Sequence, residues 1–432
     1  MRDPKATAAA AAALPEDVVL EILARVPDVA DLFRCAAACK RWRVLVADRP
    51  FLRRRWPEHA RHPSSLLGFF GQDWWREDVP APLPDFVRAP QSVLGPGRPF
   101  LSSFVPGAAS LFDFDRAVPL ASNRGLLLVR YVPRGGDPRI DGTEPSADHL
   151  AVCNLLSGTC DVLPPLQCSR FYNYFDTSAY AVLTGADCCP SGHPPCPPAK
   201  KAFFKVLVIG ISQSGTRYDL HTVSSGEQSW SAPTKCFSPI EHNMFGPIMQ
   251  RDAVVRRGTV HWLLWDMVNF HALNVDAITG RVSLHMLPAP RPQDLVRCMY
   301  DNPRLSVAAD GTTLSSLCLF REDLTVEIWT WRHDDGDDDG ERGHWRRDRV
   351  VELRRPKQKQ INGPLCMCMG ERSGTMLIRA DCRCIYIADL ESGVLEEVTD
   401  QFSGLAGWKT AFPMEIDWPA FFMHRLGGKP IV

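Results

Sequence analysis

Four cysteines in the last fifth of the chain, Cys366, Cys368, Cys382 and Cys384, form two Cys-x-Cys pairs. On strands each pair would point to one face, so two neighbouring strands could offer four thiolates to zinc. The same period arises when a strand buries small residues, and zinc knuckles usually space their paired cysteines by two residues, so a core role is expected. Cys188, Cys189, His193 and Cys196 make a second set of metal-ligand types, but their spacing is irregular and they fall in the Pro-rich stretch 185–198, which reads as a loop. Asp335-Gly336-Asp337-Asp338-Asp339-Gly340 matches the first half of a calcium loop, yet Arg346 stands at position twelve where a bidentate Glu belongs. A hairpin tip is expected there. Gly210-Ile211-Ser212-Gln213-Ser214-Gly215 misses a nucleophile elbow because its second Gly comes one residue late. The chain holds no P-loop, no His-Glu-x-x-His and no dinucleotide fingerprint, and its 12 His and 7 Tyr are too scattered to assemble a copper site. No catalytic residue, metal or cofactor is expected, which leaves recognition as the chemistry to explain.

The residues best arranged for recognition lie between 14 and 56. Pro15 opens a helix where its missing N–H costs nothing, Glu16 and Asp17 place negative charge on the positive end of the dipole, and Pro27 stops it. Between them Val18, Val19, Ile22, Leu23 and Val26 recur at three- and four-residue spacing. A second helix is predicted after the candidate caps Asp28 and Asp31, with Leu32, Cys35, Cys39, Trp42, Leu45 and Val46 on one face and Arg34, Lys40, Arg41 and Arg43 on the other. Phe51 and Leu52 extend the apolar surface past Pro50, and Arg53-Arg54-Arg55 reads as a solvated helix end. So small a segment cannot cover that much apolar surface by itself, so it is expected to be half of an interface whose other half is another protein.

At these residues the chain resembles the F-box. That family's Leu-Pro, Ile-Leu, second Pro and Cys-Lys-x-Trp-Arg are met by Leu14-Pro15, Ile22-Leu23, Pro27 and Cys39-Lys40-Arg41-Trp42-Arg43. Ala36-Ala37-Ala38 departs from the pattern, where larger side chains are usual. The resemblance implies docking onto a Skp-type adaptor and, through it, a cullin scaffold. It assigns Leu14, Pro15, Ile22, Leu23, Val26, Pro27, Leu32, Cys39, Trp42, Leu45 and Phe51 either to that interface or to the small F-box core, without dividing them.

Composition agrees with a soluble intracellular protein: 45% hydrophobic, 23% charged and net charge −1, with no run of apolar residues long enough to span a bilayer. Neutrality removes any bulk electrostatic case for nucleic-acid binding. Residues 1–13 read as a flexible Ala-rich arm rather than a signal peptide, since polyalanine is weakly apolar and no cleavage site precedes the first helix. The 15 cysteines are then expected to be reduced thiols, in the cytoplasm and/or nucleus.

After residue 56 the composition shifts to Pro, Gly and short β-rich runs. Residues 57–120 form a bridging region, possibly part of a first blade. From about 121 to 432 a unit recurs in which a strand leads to a Gly turn and a second strand that often ends at Pro: 150–165, 220–233, 271–288 and 385–400, with turn pairs Ser157-Gly158, Ser225-Gly226, Thr279-Gly280 and Ser392-Gly393. An altered copy starts at Leu324. The spacing suits four-stranded propeller blades. This region looks like the kelch-like F-box-associated domains of plant F-box families, although the double-Gly kelch signature is absent; an irregular pair of β-sandwiches is the alternative. The expected fold is therefore α+β and multidomain, a small all-α F-box followed by a mainly β, propeller-like domain. The resemblance implies a non-catalytic substrate receptor of a ubiquitin ligase that binds an unknown protein target. A non-degradative adaptor or scaffold is the other reading.

Overall fold

The computed structural model describes residues 14–57, 60–73, 85–94, 101–106, 117–131, 147–167, 178–188, 203–211, 217–237, 248–266, 268–288, 303–311, 313–333, 343–354, 361, 363–380, 384–398 and 408–426. The chain divides into two compact units, Met1–Glu58 with Asp417–Val432, and His59–Ile416.

The first unit is helical. Helix α1 (Glu16–Ala24) begins behind Pro15 with two acidic residues in its first turn, as the sequence predicts. The single second helix predicted from residue 28 onward is instead two, α2 (Val29–Ala38) and α3 (Lys40–Val46). Cys39 breaks it in extended backbone (φ −157, ψ 160), and its Sγ accepts from the Trp42 N–H at 3.4 Å to start the next helix. Of the two candidate caps, Asp28 does the work, accepting from Ala30 N and Asp31 N, while Asp31 pairs with Arg34. Helix α4 (Arg49–Arg55) follows, capped by Asp48.

A fifth helix, α5 (Trp418–Leu426), belongs to this unit although it lies at the far end of the chain. Its Phe422 is fully buried, with its ring 5.2 Å from Phe33 and 5.7 Å from Trp56. The sequence reading assigned everything from 121 to 432 to the β domain and left the helices to be covered by another protein. Part of that cover is the chain's own C-terminal segment, because an aromatic cluster this size needs more apolar surface than about forty residues supply.

The second unit is built from strands β1 (Leu66–Asp73), β2 (Asp85–Arg88), β3 (Val118–Asn123), β4 (Leu126–Arg130), β5 (Ala147–Asp148), β6 (Leu150–Asn154), β7 (Thr159–Val162), β8 (Leu166–Gln167), β9 (Ala179–Thr184), β10 (Phe204–Ile211), β11 (Tyr218–Ser224) and β12 (Thr234–Phe237). It continues with β13 (Ile248–Arg256), β14 (Thr259–Trp265), β15 (Phe270–Asp276), β16 (Val282–Met286), β17 (Arg304–Val307), β18 (Leu314–Phe320), β19 (Thr325–His333) and β20 (Gly343–Glu352). The last are β21 (Leu365–Met369), β22 (Thr375–Ala380), β23 (Cys384–Asp389), β24 (Leu395–Glu397) and β25 (Trp408–Glu415).

These strands make antiparallel blades in chain order: β3-β4-β6-β7, β9 to β12, β13 to β16, β17 to β20 and β21 to β24. A sixth blade is completed by the two ends of the unit, with β25 pairing β1 in a register that sets Phe70 opposite Phe412, and β2 outside β1. The bridging region thus contributes strands to the closing blade. The second and third blades touch through a parallel bridge, Tyr180 with Asp252. The first strands β3, β9, β13, β17, β21 and β25 pack side by side and the last returns to the first, closing a propeller-like ring. Five hydrophobic clusters each join two neighbouring blades, so strands such as β4 are buried on both faces and read as unbroken apolar runs rather than alternating ones.

The recurring sequence unit is the outer hairpin of the first, second, third and fifth blades. Asn154 and Asp276 bend the chain by accepting two following backbone N–H groups each, and Asp389 accepts one. Gly158, Gly226, Gly280 and Gly393 then take positive φ values of 70–89° that a side chain resists.

Candidate functional site

The four-residue spacing of α1 creates two adjacent rows. Val19 and Leu23 face inward and are essentially buried, packed in a core with Val29, Leu32, Ala36, Leu45, Val46, Phe51 and Leu52. Val18 and Ile22 form the neighbouring row and stay exposed at 39% and 45%, and Leu14, just before the helix, is exposed at 49%. Pro15 beside them is also exposed. An ordered apolar row of this kind, left in water on a helix whose other face is anchored, is surface shaped for a partner.

The residues of the F-box pattern accordingly separate. Leu14, Pro15, Ile22, Pro27 and Cys39 are exposed; Val26 and Trp42 are half-buried; Leu23, Leu32, Leu45 and Phe51 are core. The Cys39 thiol is used as a helix cap. Two exposed apolar residues lie outside the pattern's set, Val18 and Val44, the latter 69% exposed on α3. Val18 could have been found from its step of four between Leu14 and Ile22; Val44 has no such signal, because its neighbours Leu45 and Val46 are equally apolar and buried.

The position of α1 is fixed electrostatically as well as by packing. Arg55 donates to the carbonyls of Leu23, Ala24, Val26 and Pro27, the groups a helix end leaves unpaired. Burial depresses the Arg55 pKa below the usual guanidinium range, with the Asp28 charge opposing the shift. Of the arginine run read as a solvated helix end, Arg55 is therefore a built-in cap. Arg54 bonds Glu21 at 2.7 Å and, with Arg25, holds that carboxyl below its ordinary range. Arg41 donates to the Leu14 carbonyl and ties the first residue of the exposed row to α3.

Cys366 and Cys368 do not share the one face that their spacing suggests. A register shift between Cys366 and Cys368 breaks the alternation, so Cys366 packs with Met376 and Ile378 while Cys368 packs with Met367 and Leu377 in a different cluster. Burial pushes the Cys366 thiol up to about 11 and raises that of Cys368 well above the usual thiol range. Cys382, Cys189, His193, Cys196, the acidic run 335–340 and the arm 1–13 lie outside the described residues. Trp262, Trp265, Trp329 and Trp331 pack as strand residues, whereas Trp230 lies between β11 and β12 and donates to the Pro164 carbonyl at 2.8 Å; Trp331 stacks on His285 at 4.4 Å. Among the described residues no helix is long and apolar enough to cross a membrane.

A family profile described as F-box-like matches residues 11–56. Over 54 residues the chain is 49% identical to a putative F-box protein of Arabidopsis thaliana, a match spanning 12% of this chain and 14% of that protein. The N-terminal segment is thus an F-box-like domain. Among solved structures, the Dos1 propeller aligns over 64% of this chain and 57% of its own at 10% identity and a TM-score of 0.28. A mutant alpha-L-arabinofuranosidase from Fusarium graminearum aligns over 66% of this chain and 80% of its own at 8% identity and a TM-score of 0.32. Likenesses at that level carry no argument, and the blade architecture rests on the strand pairing of this chain.

Proposed function

We propose that this protein is the substrate-recognition subunit of a Skp-cullin-F-box type ubiquitin ligase, acting in the cytoplasm and/or nucleus. Its F-box-like domain docks onto a Skp-type adaptor, and its β unit, a kelch-like F-box-associated domain, holds a target protein. The observation that carries this reading is the exposed row Leu14, Val18 and Ile22, presented by a helix whose parallel row is buried. The contribution of such a subunit is proximity: tethering target and charged transferase to one scaffold converts a bimolecular encounter into an intramolecular one, with no catalytic group required of this chain. A non-degradative scaffold would use the same docking row and differ in leaving the half-life of its target unchanged.

The test is capture of a recombinant Skp-type adaptor by the full-length chain and by its Leu14→Asp/Ile22→Asp variant. Each buried aliphatic side chain contributes roughly 1.5–3 kcal/mol, so the double variant is expected to bind at least about tenfold more weakly with an unchanged circular dichroism spectrum. Equal capture by both proteins would remove the assignment.

A further inference from the structure

The outer hairpin of the first blade holds two thiols side by side. Strands β6 and β7 run antiparallel with Cys153 directly opposite Cys160, and the two Sγ atoms lie 3.0 Å apart. The ladder explains the approach. The Leu150 carbonyl accepts from the Leu163 N–H at 2.9 Å, which makes those two residues a hydrogen-bonded pair. An odd number of steps further along the same register, Cys153 and Cys160 form a non-hydrogen-bonded pair, the kind whose side chains stand closer together. The turn holds that register: Asn154 accepts from Leu156 N and Ser157 N through its side chain, and its carbonyl accepts from the Gly158 N–H at 2.8 Å. The Cα atoms of such a pair stand about 4.5 Å apart, inside the roughly 4.4–6.8 Å that a disulfide spans, so side-chain rotation alone brings the sulfurs to a bond of about 2.05 Å.

The two thiols are not equivalent. Cys153 is fully buried, whereas Cys160 is half-buried on β7, the edge strand of its sheet. Burial, then the hydrogen bond and charge of Cys160, then the charge of Asp161, raise the Cys153 thiol well above the usual range. Cys153 therefore keeps its proton and is the donor of the pair, and a reagent arriving from solvent meets Cys160 first. Among the described residues no set of three His, Cys, Asp or Glu is arranged to hold a metal, so two facing thiols point to sulfur chemistry instead.

We propose that Cys153 and Cys160 are a reversible oxidation site, closing to a cross-strand disulfide when they meet a low-molecular-weight disulfide of the glutathione type. Cys160, as its thiolate, attacks one sulfur of the small disulfide; a new S–S bond forms on Cys160, the old one breaks, and the departing small thiolate takes up the proton that Cys160 gave to solvent. Cys153 then attacks the Cys160 sulfur. The Cys153–Cys160 bond forms, the mixed disulfide breaks, and the second small thiol leaves with the Cys153 proton. The two protein thiols lose two electrons and the small disulfide gains them, becoming two thiols. Excess reduced glutathione runs the same exchange backwards. The closed pair ties the edge strand β7 to β6. The inference stands on the first blade alone and does not depend on adaptor docking.

The experiment is differential thiol labelling of the full-length chain. After incubation with oxidised glutathione, free thiols are blocked in denaturant with N-ethylmaleimide, the protein is reduced, and the thiols released are labelled with iodoacetamide and located by fragmentation of the tryptic peptide 140–170. Cys153 and Cys160 are expected to take the second label in the same molecules and to the same extent. That label should exceed the one on the buried references Cys318 and Cys366 at least about tenfold, because closure within one hairpin has a high effective concentration. Adding excess reduced glutathione before blocking should return both to the first label. Cys153→Ser is expected to stop at a stable mixed disulfide on Cys160, and Cys160→Ser to leave Cys153 reduced. Should Cys153→Ser fail to fold, the paired labelling of the unaltered protein and the Cys160→Ser variant decide the matter. A mixed disulfide that stays on Cys160 of the unaltered protein, a bridge from Cys160 to Cys168 or another cysteine, both thiols unchanged in excess oxidised glutathione, or oxidation of Cys153 in folded Cys160→Ser protein would overturn the proposal.

Discussion

The helical unit keeps Leu14, Val18 and Ile22 in water one row away from the buried Val19 and Leu23, whereas the β unit does the reverse and draws Asp252, Glu371 and Arg304 into its hub. Each departs from the rule that apolar groups go inside and charged groups outside, and each departs in the opposite sense. The helical departure is local, a matter of four-residue spacing on one helix. The β departure is collective, since the hub charges come from different blades and none is unusual in its own segment. The scale on which burial is left incomplete therefore differs between the two units.

Substitutions at four positions would break or sharpen that contrast. The largest effect is expected from Phe422→Ala, which empties the aromatic cluster between α5, Phe33 and Trp56 and should cost the helical unit about 3–5 kcal/mol. Denaturant unfolding followed by helical and β signals separately should show the helical transition moving while the β transition stays; equal movement of both would mean that α5 is not particular to the helical unit. Arg55→Ala comes next. It leaves the carbonyls at the end of α1 without their donor and should destabilise the same transition by about 1–3 kcal/mol, with Arg55→Lys recovering only part of the loss because a single ammonium cannot span four carbonyls.

The smallest effects belong to the hairpin turns. At Gly226, with φ +89° and open space around it, alanine should cost on the order of 1 kcal/mol from backbone strain alone. At Gly393, with φ +70°, an added Cβ would meet the Glu352 carbonyl oxygen at 2.5 Å, so alanine should cost clearly more there. Equal melting temperatures for the two variants would show that the Gly393 turn relaxes away from β20.

Much of this was legible in the chain itself. Pro15 announces where α1 begins, Pro27 and Asp28 where it ends and α2 begins, and Ser-Gly or Thr-Gly pairs mark four outer hairpins, because caps and positive-φ turns are dictated by residues within a few positions of one another. The bulge at Cys366 and Cys368 was not legible, since alternation of residue types cannot report a register shift set by the neighbouring strand. Nor was the break at Cys39, where the apolar period runs on through a residue whose backbone is extended.

The residue order by itself determined the F-box-like pattern, the bounds of α1 and the strand-turn-strand rhythm of the blades, all of which depend on short-range spacing and dihedral preference. Only the tertiary structure decided that α5 completes the helical core, that β25 closes the ring on β1, and that Asp252, Glu371 and Glu415 meet Arg124, Arg304 and Arg372 at the hub. Those arrangements join residues hundreds of positions apart. They are selected by the burial of surface and the balance of charge in the folded molecule, which leave no mark on the spacing of any one segment.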